Sequence, residues 1–114
     1  MTIFGMPGVS TFIEKVANSD DADAIDAMFE YVAKYGPPRI TSKCRPLSDK
    51  IFELKPGAVR FPFFYDQNRR ATIVITHGFM KQSQKTPPRE RNLAERHFGL
   101  YLLAYRKGVV RYEE

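Results

Sequence analysis

The side chains in this sequence that are best suited to chemistry are cations grouped around two short stretches. Lys55 and Arg60 flank a Pro-Gly pair, and Lys81 and Lys85 lie in a polar segment that follows an apolar run. A lysine among other cations has a lowered pKa and can act as base or acid, whereas an arginine stays charged and holds a phosphate. RNA can be cut without a metal when its 2′-hydroxyl attacks the adjacent phosphate and cations stabilise the added charge. These residue types allow that reaction, although most Lys and Arg in proteins are solvent contacts.

The distribution of charge favours a polyanionic partner. The formal net charge is +5, but residues 1–33 carry one lysine against six carboxylates, a net charge of −5. Residues 34–112 carry 17 Lys and Arg against five carboxylates, a net charge of +12, and two glutamates follow. Each phosphate contact made by such a basic block releases counterions and adds salt-sensitive affinity. The alternative is a basic surface that is only solvated.

Three strands are predicted to position the cations, because apolar and polar residues alternate from Asp49 onward. They form an antiparallel meander over Lys50–Lys55, Ala58–Asp66 and Arg70–Thr76. Pro62 cannot donate a ladder hydrogen bond, so we expect a bulge or an edge position there.

A two-residue turn at Pro56-Gly57 predicts the register of the first two strands. It pairs Lys55 with Ala58 and Glu53 with Arg60, so that Glu53, Lys55 and Arg60 share one face. The opposite face is apolar and is the predicted core side: Phe52, Leu54, Val59, Phe61, Phe63 and Tyr65.

Two helices are predicted before the sheet. Thr11-Phe12-Ile13-Glu14 has the spacing of a capping box and opens a short helix that ends near Asn18. The second helix follows Ser19-Asp20-Asp21, which supply its cap and first-turn carboxylates, and stops at Gly36-Pro37-Pro38.

A third helix is predicted from Pro87 or Pro88 to about Lys107, with Thr86 as its N-cap and Gly108 ending it. Its apolar stripe is expected to lie across the sheet: Ala94, Phe98, Tyr101, Leu102 and Tyr105.

Length and composition restrict the class of protein. A chain of 114 residues predicts a single domain over 1–114. No stretch approaches the roughly 18 consecutive apolar residues of a membrane span, and the start lacks a secretory pattern, so we expect a cytoplasmic protein without membrane contact. Cys44 is the only cysteine, and with His77 and His97 it makes no zinc spacing. We therefore expect no metal and no cofactor.

From about Leu47 to Tyr101 the chain carries a series of motifs that resembles the phage-derived HigB-like branch of the RelE/ParE toxin superfamily. The matching residues are Glu53-Leu54-Lys55, Arg60, His77-Gly78-Phe79-Met80-Lys81, Gln84-Lys85-Thr86-Pro87, Ala94, Arg96 and Tyr101. The chain departs from the family at Lys55, where Arg is usual, and at Gln82, where a second lysine often stands. Only Thr2-Ile3-Phe4 is available where the family has a full first strand.

The resemblance implies a RelE-like α+β fold, a small antiparallel sheet of three to four strands with two N-terminal helices and a C-terminal helix. It implies a type II toxin that cleaves messenger RNA, on the ribosome and without a metal, and that is inhibited by a helix-turn-helix antitoxin protein. Arg60 would clamp the phosphate, while Lys55 and Lys81 would share electrostatic and acid–base work as catalytic residues. The predicted RNA-binding residues are Lys50, His77, Lys85, Arg96 and Tyr101. A structural role is the alternative for His77, and a core position for Tyr101.

Two other functions stay open at this point. A non-catalytic RNA or ribosome binder would bind with strong salt dependence and leave RNA ends unchanged. A gyrase inhibitor of the ParE type would share the fold and cause DNA damage instead of RNA cleavage.

Overall fold

The computed structural model describes residues 1–17 and 19–108. In chain order the elements are β1 (Thr2–Gly5), α1 (Val9–Lys15), α2 (Ala22–Tyr35), β2 (Cys44–Pro46), β3 (Phe52–Leu54), β4 (Val59–Tyr65), β5 (Thr72–Ile75), β6 (Phe79–Met80) and α3 (Pro88–Arg106). This arrangement confirms the predicted α+β class. In the described ranges, no helix is long and apolar enough to cross a membrane.

The sheet is larger than predicted and is mixed. Its strands follow the order β1-β5-β4-β3-β2, and β6 pairs with β4 outside this order. β1 runs parallel to β5, whereas the other pairings are antiparallel. The prediction of three to four antiparallel strands is therefore wrong in number, since the described chain forms six strands, and wrong in type at β1. The predicted meander is present as β3, β4 and β5.

The strands that the sequence did not predict are short. β1 has four residues, β2 three and β6 two, so the alternation within each is too brief to detect. β1 nevertheless pairs with β5 along its whole length, from Thr2 beside Thr72 to Gly5 beside Ile75. The residues of β1 thus form an edge strand of the sheet.

Both faces of the sheet are covered by helices, but to different extents. On one face Leu54, Phe61 and Phe63 are fully buried and pack against α1 and α2, as the predicted core side requires. On the other face Ile51, Phe64 and Val74 are covered by Ala94 and Tyr101 of α3. The predicted apolar stripe of α3 is confirmed at Ala94, Phe98, Tyr101 and Leu102, for example by the Phe64–Phe98 ring contact at 4.8 Å, whereas Tyr105 is exposed.

The register between β3 and β4 differs from the prediction by two residues. Glu53 pairs with Pro62 and Leu54 with Phe61, so the expected Glu53–Arg60 pair is wrong. The reason is a longer turn, in which the Val59 N–H donates to the Pro56 carbonyl at 3.0 Å and Gly57 has φ +57°. A shift of two residues keeps every side chain on its predicted face. Glu53 and Arg60 therefore still share a face, as predicted.

A bulge lies opposite Pro62, where the sequence predicts a bulge or an edge. Phe63 pairs with Ile75 and Arg60 with Phe79, so two residues on β4 oppose three on the chain from β5 to β6. The Thr76 N–H donates to the Pro62 carbonyl at 2.9 Å. The amide nitrogen and the carbonyl of a strand residue point the same way. The nitrogen of Pro62, which carries no hydrogen to donate, therefore also faces this bulge.

The start of α1 and the capping of α2 and α3 differ from the prediction, whereas α2 and α3 begin where the sequence places them. α1 begins at Val9 after Gly8, so Thr11 lies inside it, and the expected end at Asn18 is outside the described residues. Asp21 precedes α2 without a side-chain cap, because its Oδ1 accepts the Ala58 N–H at 2.8 Å. Pro87, not Thr86, precedes α3.

The predicted ends of α2 and α3 are confirmed. α2 stops at Tyr35, before Gly36 with φ +81°, and α3 stops at Arg106, before Gly108 with φ +73°.

Candidate active site

The centre of the site is the carboxylate of Glu53, which is fully buried in β3. Its Oε1 accepts a hydrogen bond from Arg45 Nε at 3.1 Å, and its Oε2 accepts one from the Thr86 hydroxyl at 2.7 Å. Arg60 Nε lies 4.0 Å from the same Oε1. A buried carboxylate needs such partners, since an unpaired buried charge is very costly. Glu53 therefore holds two guanidinium groups beside each other.

Arg60 is largely buried, with 8% of the residue exposed. Its Nη1 donates to the carbonyls of Gly57 and Val59 at 2.9 and 2.8 Å, which fixes the plane of the guanidinium. Burial lowers its pKa and Glu53 opposes that shift, while Arg45 adds to it. Both Nη1 protons are donated to these two carbonyls. Nη2 donates no hydrogen bond within the described chain. The geometry leaves Nη2 for a ligand.

Lys55 lies at the end of β3 and its Nζ donates to the Thr41 carbonyl at 3.2 Å. Burial lowers the pKa of Lys55, and the positive charges of Arg45, Arg60 and Lys81 lower it further, against a smaller opposing effect of Glu53. The predicted cluster of Lys55, Arg60 and Lys81 is thus close enough in space to interact electrostatically. A lysine in this position has more free amine near neutral pH than an ordinary lysine.

The segment from Lys81 to Thr86 forms the outer edge of the site. The Lys81 N–H donates to the Ala58 carbonyl at 2.7 Å, and the Ser83 hydroxyl donates to the Lys85 carbonyl at 3.0 Å. Lys81 and Lys85 are exposed. Together with Arg45, Arg60 and Thr86 these residues line a narrow cleft, which as it stands has no room for a water molecule. We call this the cationic cleft.

Arg45 is the site residue that sequence analysis missed. It reaches Glu53 through Nε and Thr86 through Nη2, the latter at 2.9 Å, and it joins β2 to the start of α3. β2 was not predicted, so nothing placed Arg45 near Glu53. In the structure Arg45 pairs with Glu53 across β2 and β3. A prediction of β2 would therefore have placed Arg45 beside Glu53.

Comparison with known proteins identifies the chain. The family model described as "Phage derived protein Gp49-like" matches residues 14–99. The chain belongs to this family. No curated protein matches the sequence significantly.

Solved structures confirm the fold of this Gp49-like protein. The YoeB dimer from Staphylococcus aureus superposes with a TM-score of 0.51 at 15% identity, over 73% of this chain and 97% of YoeB. The YoeB–YefM complex from Staphylococcus aureus gives 0.52 at 12% identity, with the same coverage of both chains. The predicted resemblance to RelE-like toxins is therefore confirmed at the level of family and fold.

A second polar cluster of the Gp49-like protein surrounds His77, which the bulge places beside α3. Its Nδ1 lies 2.6 Å from the Thr76 hydroxyl, and its Nε2 lies 3.3 Å from Glu90 Oε1 in poor hydrogen-bond alignment. Its ring stands edge-to-face against His97 at 5.8 Å. Burial lowers the pKa of His77, Glu90 opposes this and His97 adds to it. These contacts are structural, and His77 stacks on Phe79 at the border of the cationic cleft.

The remaining predicted RNA-binding residues lie apart from the cationic cleft. Lys50 is exposed before β3, at the opposite end of that strand from Lys55. Arg96 is exposed on α3. Tyr101 is buried, and its hydroxyl donates to Asp66 Oδ2 at 2.6 Å. The structure therefore places Tyr101 in the core of the Gp49-like protein.

Metal-ligating side chains are scattered in the described residues. No group of three or more His, Cys, Asp or Glu is arranged to hold a metal ion there.

Cys44 is half-buried, and burial together with Glu53 raises the pKa of its thiol to about 11. Its thiol is consequently a poor nucleophile.

Proposed function

We propose that this Gp49-like protein is the toxin of a type II toxin–antitoxin pair, an endoribonuclease that cleaves messenger RNA without a metal ion. The observation that carries the proposal is the buried Glu53 carboxylate, which holds Arg45 beside Arg60 in a cleft edged by Lys81 and Lys85. Several cations fixed around one point can stabilise the charge that develops on a phosphate under attack. Membership of the Gp49-like family and the RelE-like fold support the same conclusion.

Binding of the scissile phosphate would fall to the two arginines. Arg60 Nη2 and Arg45 Nη1 make no hydrogen bond in the described residues, while Arg60 Nη1 donates to backbone carbonyls and Arg45 donates to Glu53 and Thr86 through Nε and Nη2. An arginine whose plane is fixed in advance loses little entropy when it binds a phosphate. The cleft is narrow as it stands, so the exposed Lys81–Lys85 segment would move outward to admit the RNA backbone.

Proton transfer would fall to the two lysines. In our proposal the free amine of Lys55 takes the proton of the 2′-hydroxyl as the 2′-oxygen attacks phosphorus. The bond from phosphorus to the 5′-oxygen breaks, and the Lys81 ammonium group protonates that oxygen. The products are a 2′,3′-cyclic phosphate and a 5′-hydroxyl. The lowered pKa of Lys55 suits it to the role of base, because catalysis is best when the pKa lies near the working pH.

The proposed partners are messenger RNA, the ribosome and an antitoxin protein of helix-turn-helix type. Lys85 is exposed beside the cleft and would contact the phosphate backbone of messenger RNA or of the ribosome. The similar YoeB has been solved in complex with a second protein, YefM, which supports an inhibitory protein partner here.

The test is cleavage of a defined messenger RNA on translating ribosomes by the purified protein. We expect 5′-hydroxyl and 2′,3′-cyclic phosphate ends, and a loss of about 100-fold or more in rate for Lys55→Ala or Lys81→Ala. Lys34→Ala, an exposed lysine on α2, is the matched control and should cleave normally. RNA that is bound but uncut would overturn the proposal in favour of the binder. DNA breaks without RNA cleavage would favour the gyrase inhibitor.

A further inference from the structure

A recess lies beside β2, the strand at the edge of the sheet, on the face of the sheet that α2 covers. Its lining comes from the end of α2 with the loop that follows, from β2 itself, and from Phe52 and Tyr65 of the neighbouring strands. The recess holds about 470 Å³, which is within the usual range for a ligand site. We call it the β2 recess.

Three aromatic side chains line the β2 recess. Phe52 and Tyr65 stand edge-to-face with 5.4 Å between their ring centroids, and both pack on the fully buried Phe63, which fixes their positions. Tyr35, the last residue of α2, is 67% exposed, with the ring of Tyr31 at 5.1 Å. An exposed ring beside a fixed aromatic pair is a surface on which a flat group such as a nucleobase can stack.

Two polar groups of the β2 recess are available to a ligand. Within the described residues the Arg39 guanidinium makes no hydrogen bond or ion pair, and the Tyr65 hydroxyl makes no hydrogen bond. Burial raises the pKa of Tyr65, as does Cys44, whereas the positive charge of Arg39 opposes the rise. The hydroxyl is therefore protonated at neutral pH and lies near the guanidinium. Together the two groups can donate to a carbonyl or phosphate oxygen.

The charge of the β2 recess continues that of the cationic cleft. The charged side chains among its lining residues are Arg39 and Arg45, without a carboxylate in the described lining, and Arg45 also lines the cleft. Thr41 lines the recess as well, and its carbonyl accepts the hydrogen bond from Lys55 Nζ. Cations alone would also suit an acidic peptide. An exposed ring beside them suits a chain that carries both phosphates and bases.

The backbone of β2 disfavours a peptide strand as the occupant. Pro46 has no N–H, and the Cys44 N–H donates to the Ile40 carbonyl at 2.9 Å. The ladder hydrogen bonds on either side of Arg45 turn its N–H toward β3. The open edge of β2 therefore offers carbonyl acceptors without amide donors, whereas an added strand needs both.

We propose that the β2 recess binds one base of a single-stranded RNA whose backbone passes around β2 from the cationic cleft. The base stacks on Tyr35, and Arg39 with the Tyr65 hydroxyl holds its carbonyl oxygen or the adjacent phosphate. The recess is thus a subsite for a nucleotide that flanks the cleavage position, and it takes no part in bond cleavage. Messenger RNA as the ligand rests on the proposed function, whereas binding in the recess requires no cleavage.

The test uses a 2′-O-methyl RNA hexamer, which has no free 2′-hydroxyl and cannot be cut by the proposed reaction. The fluorescent base 2-aminopurine replaces each base in turn, and the whole protein is titrated in. We expect quenching at a defined position of the strand. Tyr35→Ala should abolish this quenching and weaken binding by about tenfold or more, because the stacking surface is lost. Arg39→Ala should weaken binding as well.

The matched controls separate the ring of Tyr35 from its hydroxyl and from aromatic surface elsewhere. Tyr35→Phe keeps the ring and should bind and quench like the wild type. Tyr105→Ala removes an exposed ring of α3, away from the β2 recess, and should also behave like the wild type.

Three outcomes would overturn the proposal. They are a hexamer that does not bind or is quenched at no position, a Tyr35→Ala variant that binds and quenches like the wild type, and an equal loss in Tyr35→Phe. The titration measures no cleavage. A protein that binds the base as expected but cuts no messenger RNA would contradict the ribonuclease alone, whereas a ribonuclease whose binding is unchanged in Tyr35→Ala would contradict the β2 recess alone.

Discussion

Thr86 donates a hydrogen bond to Glu53 Oε2 at 2.7 Å although 33 residues separate them. The same hydroxyl oxygen accepts a hydrogen bond from Arg45 Nη2 at 2.9 Å. Thr86 thus closes a ring with the buried carboxylate and the guanidinium, and it anchors the end of the segment that carries Lys81 and Lys85. This ring explains why Thr86 does not cap α3.

Replacing Thr86 by Val should slow RNA cleavage while the protein stays folded. The methyl group keeps the volume, but the ring loses its hydroxyl, and Glu53 loses one hydrogen bond at a cost of about 1–3 kcal/mol in stability. We expect a cleavage rate lower by about tenfold, because the Lys81–Lys85 segment is less well positioned. Single-turnover cleavage and urea unfolding measure the two effects. Thr86→Ser keeps the hydroxyl and should behave like the wild type; equal loss in both variants would contradict this account.

The pH dependence of cleavage should reflect the deprotonation of the Lys55 ammonium group. Burial and the nearby cations lower its pKa, so the free amine that acts as base becomes more abundant as pH rises. The rate should increase with pH and level off below the ordinary lysine pKa of 10.5. Lys55→Arg keeps the charge but cannot deprotonate, so it should remove this rising limb. A wild-type rate that does not change with pH, or a rising limb that persists in Lys55→Arg, would exclude Lys55 as the base.

Gly57→Ala should destabilise the protein and reduce cleavage. Gly57 has φ +57°, and an added Cβ would collide with the Asp21 carboxylate. We expect a loss of about 1–3 kcal/mol in unfolding free energy. Cleavage should fall as well, because the Gly57 carbonyl holds Arg60.

The control is Gly99→Ala on α3, where an added Cβ meets no atom within 4 Å. This change should stabilise the protein by about 0.5–1 kcal/mol, since alanine is the better helix former. Thermal unfolding of both variants checks the contrast. A tolerated Gly57→Ala would show that the turn relaxes without affecting Arg60.

The histidine pair should make stability fall in mild acid. Burial lowers the pKa of both His77 and His97; Glu90 and His97 face the first, and Thr76 and Arg96 face the second. Below the ordinary value of 6.5 the unfolded chain therefore binds more protons than the folded chain, and stability decreases as pH falls. Urea unfolding between pH 8 and pH 5 measures this slope. The double variant His77→Gln, His97→Gln should show a smaller slope, and an unchanged slope would assign the effect to other groups.

The face shared by Glu53 and Arg60 was predictable, because alternation along a strand survives an error of two residues in register. The lowered pKa of Lys55 was predictable only in part, because burial is its largest cause and, of the nearby cations, Arg60 follows from that face but Arg45 does not. Arg45 could not be placed, because a three-residue β2 shows no periodicity and its partner is fixed only by the sheet. Thr86 was misassigned because a local capping preference is weaker than the need of a buried carboxylate for a donor.

The most direct test of the central claim is a map of new RNA 5′ ends in cells, made minutes after induction of the protein. The wild type and Lys34→Ala should both produce new 5′-hydroxyl ends inside translated reading frames. The double variant Lys55→Ala, Lys81→Ala, shown by circular dichroism to be folded, should produce none. New ends of equal number in the folded double variant would contradict the assignment of Lys55 and Lys81 as catalytic residues, and no new ends with folded wild type would contradict the ribonuclease itself.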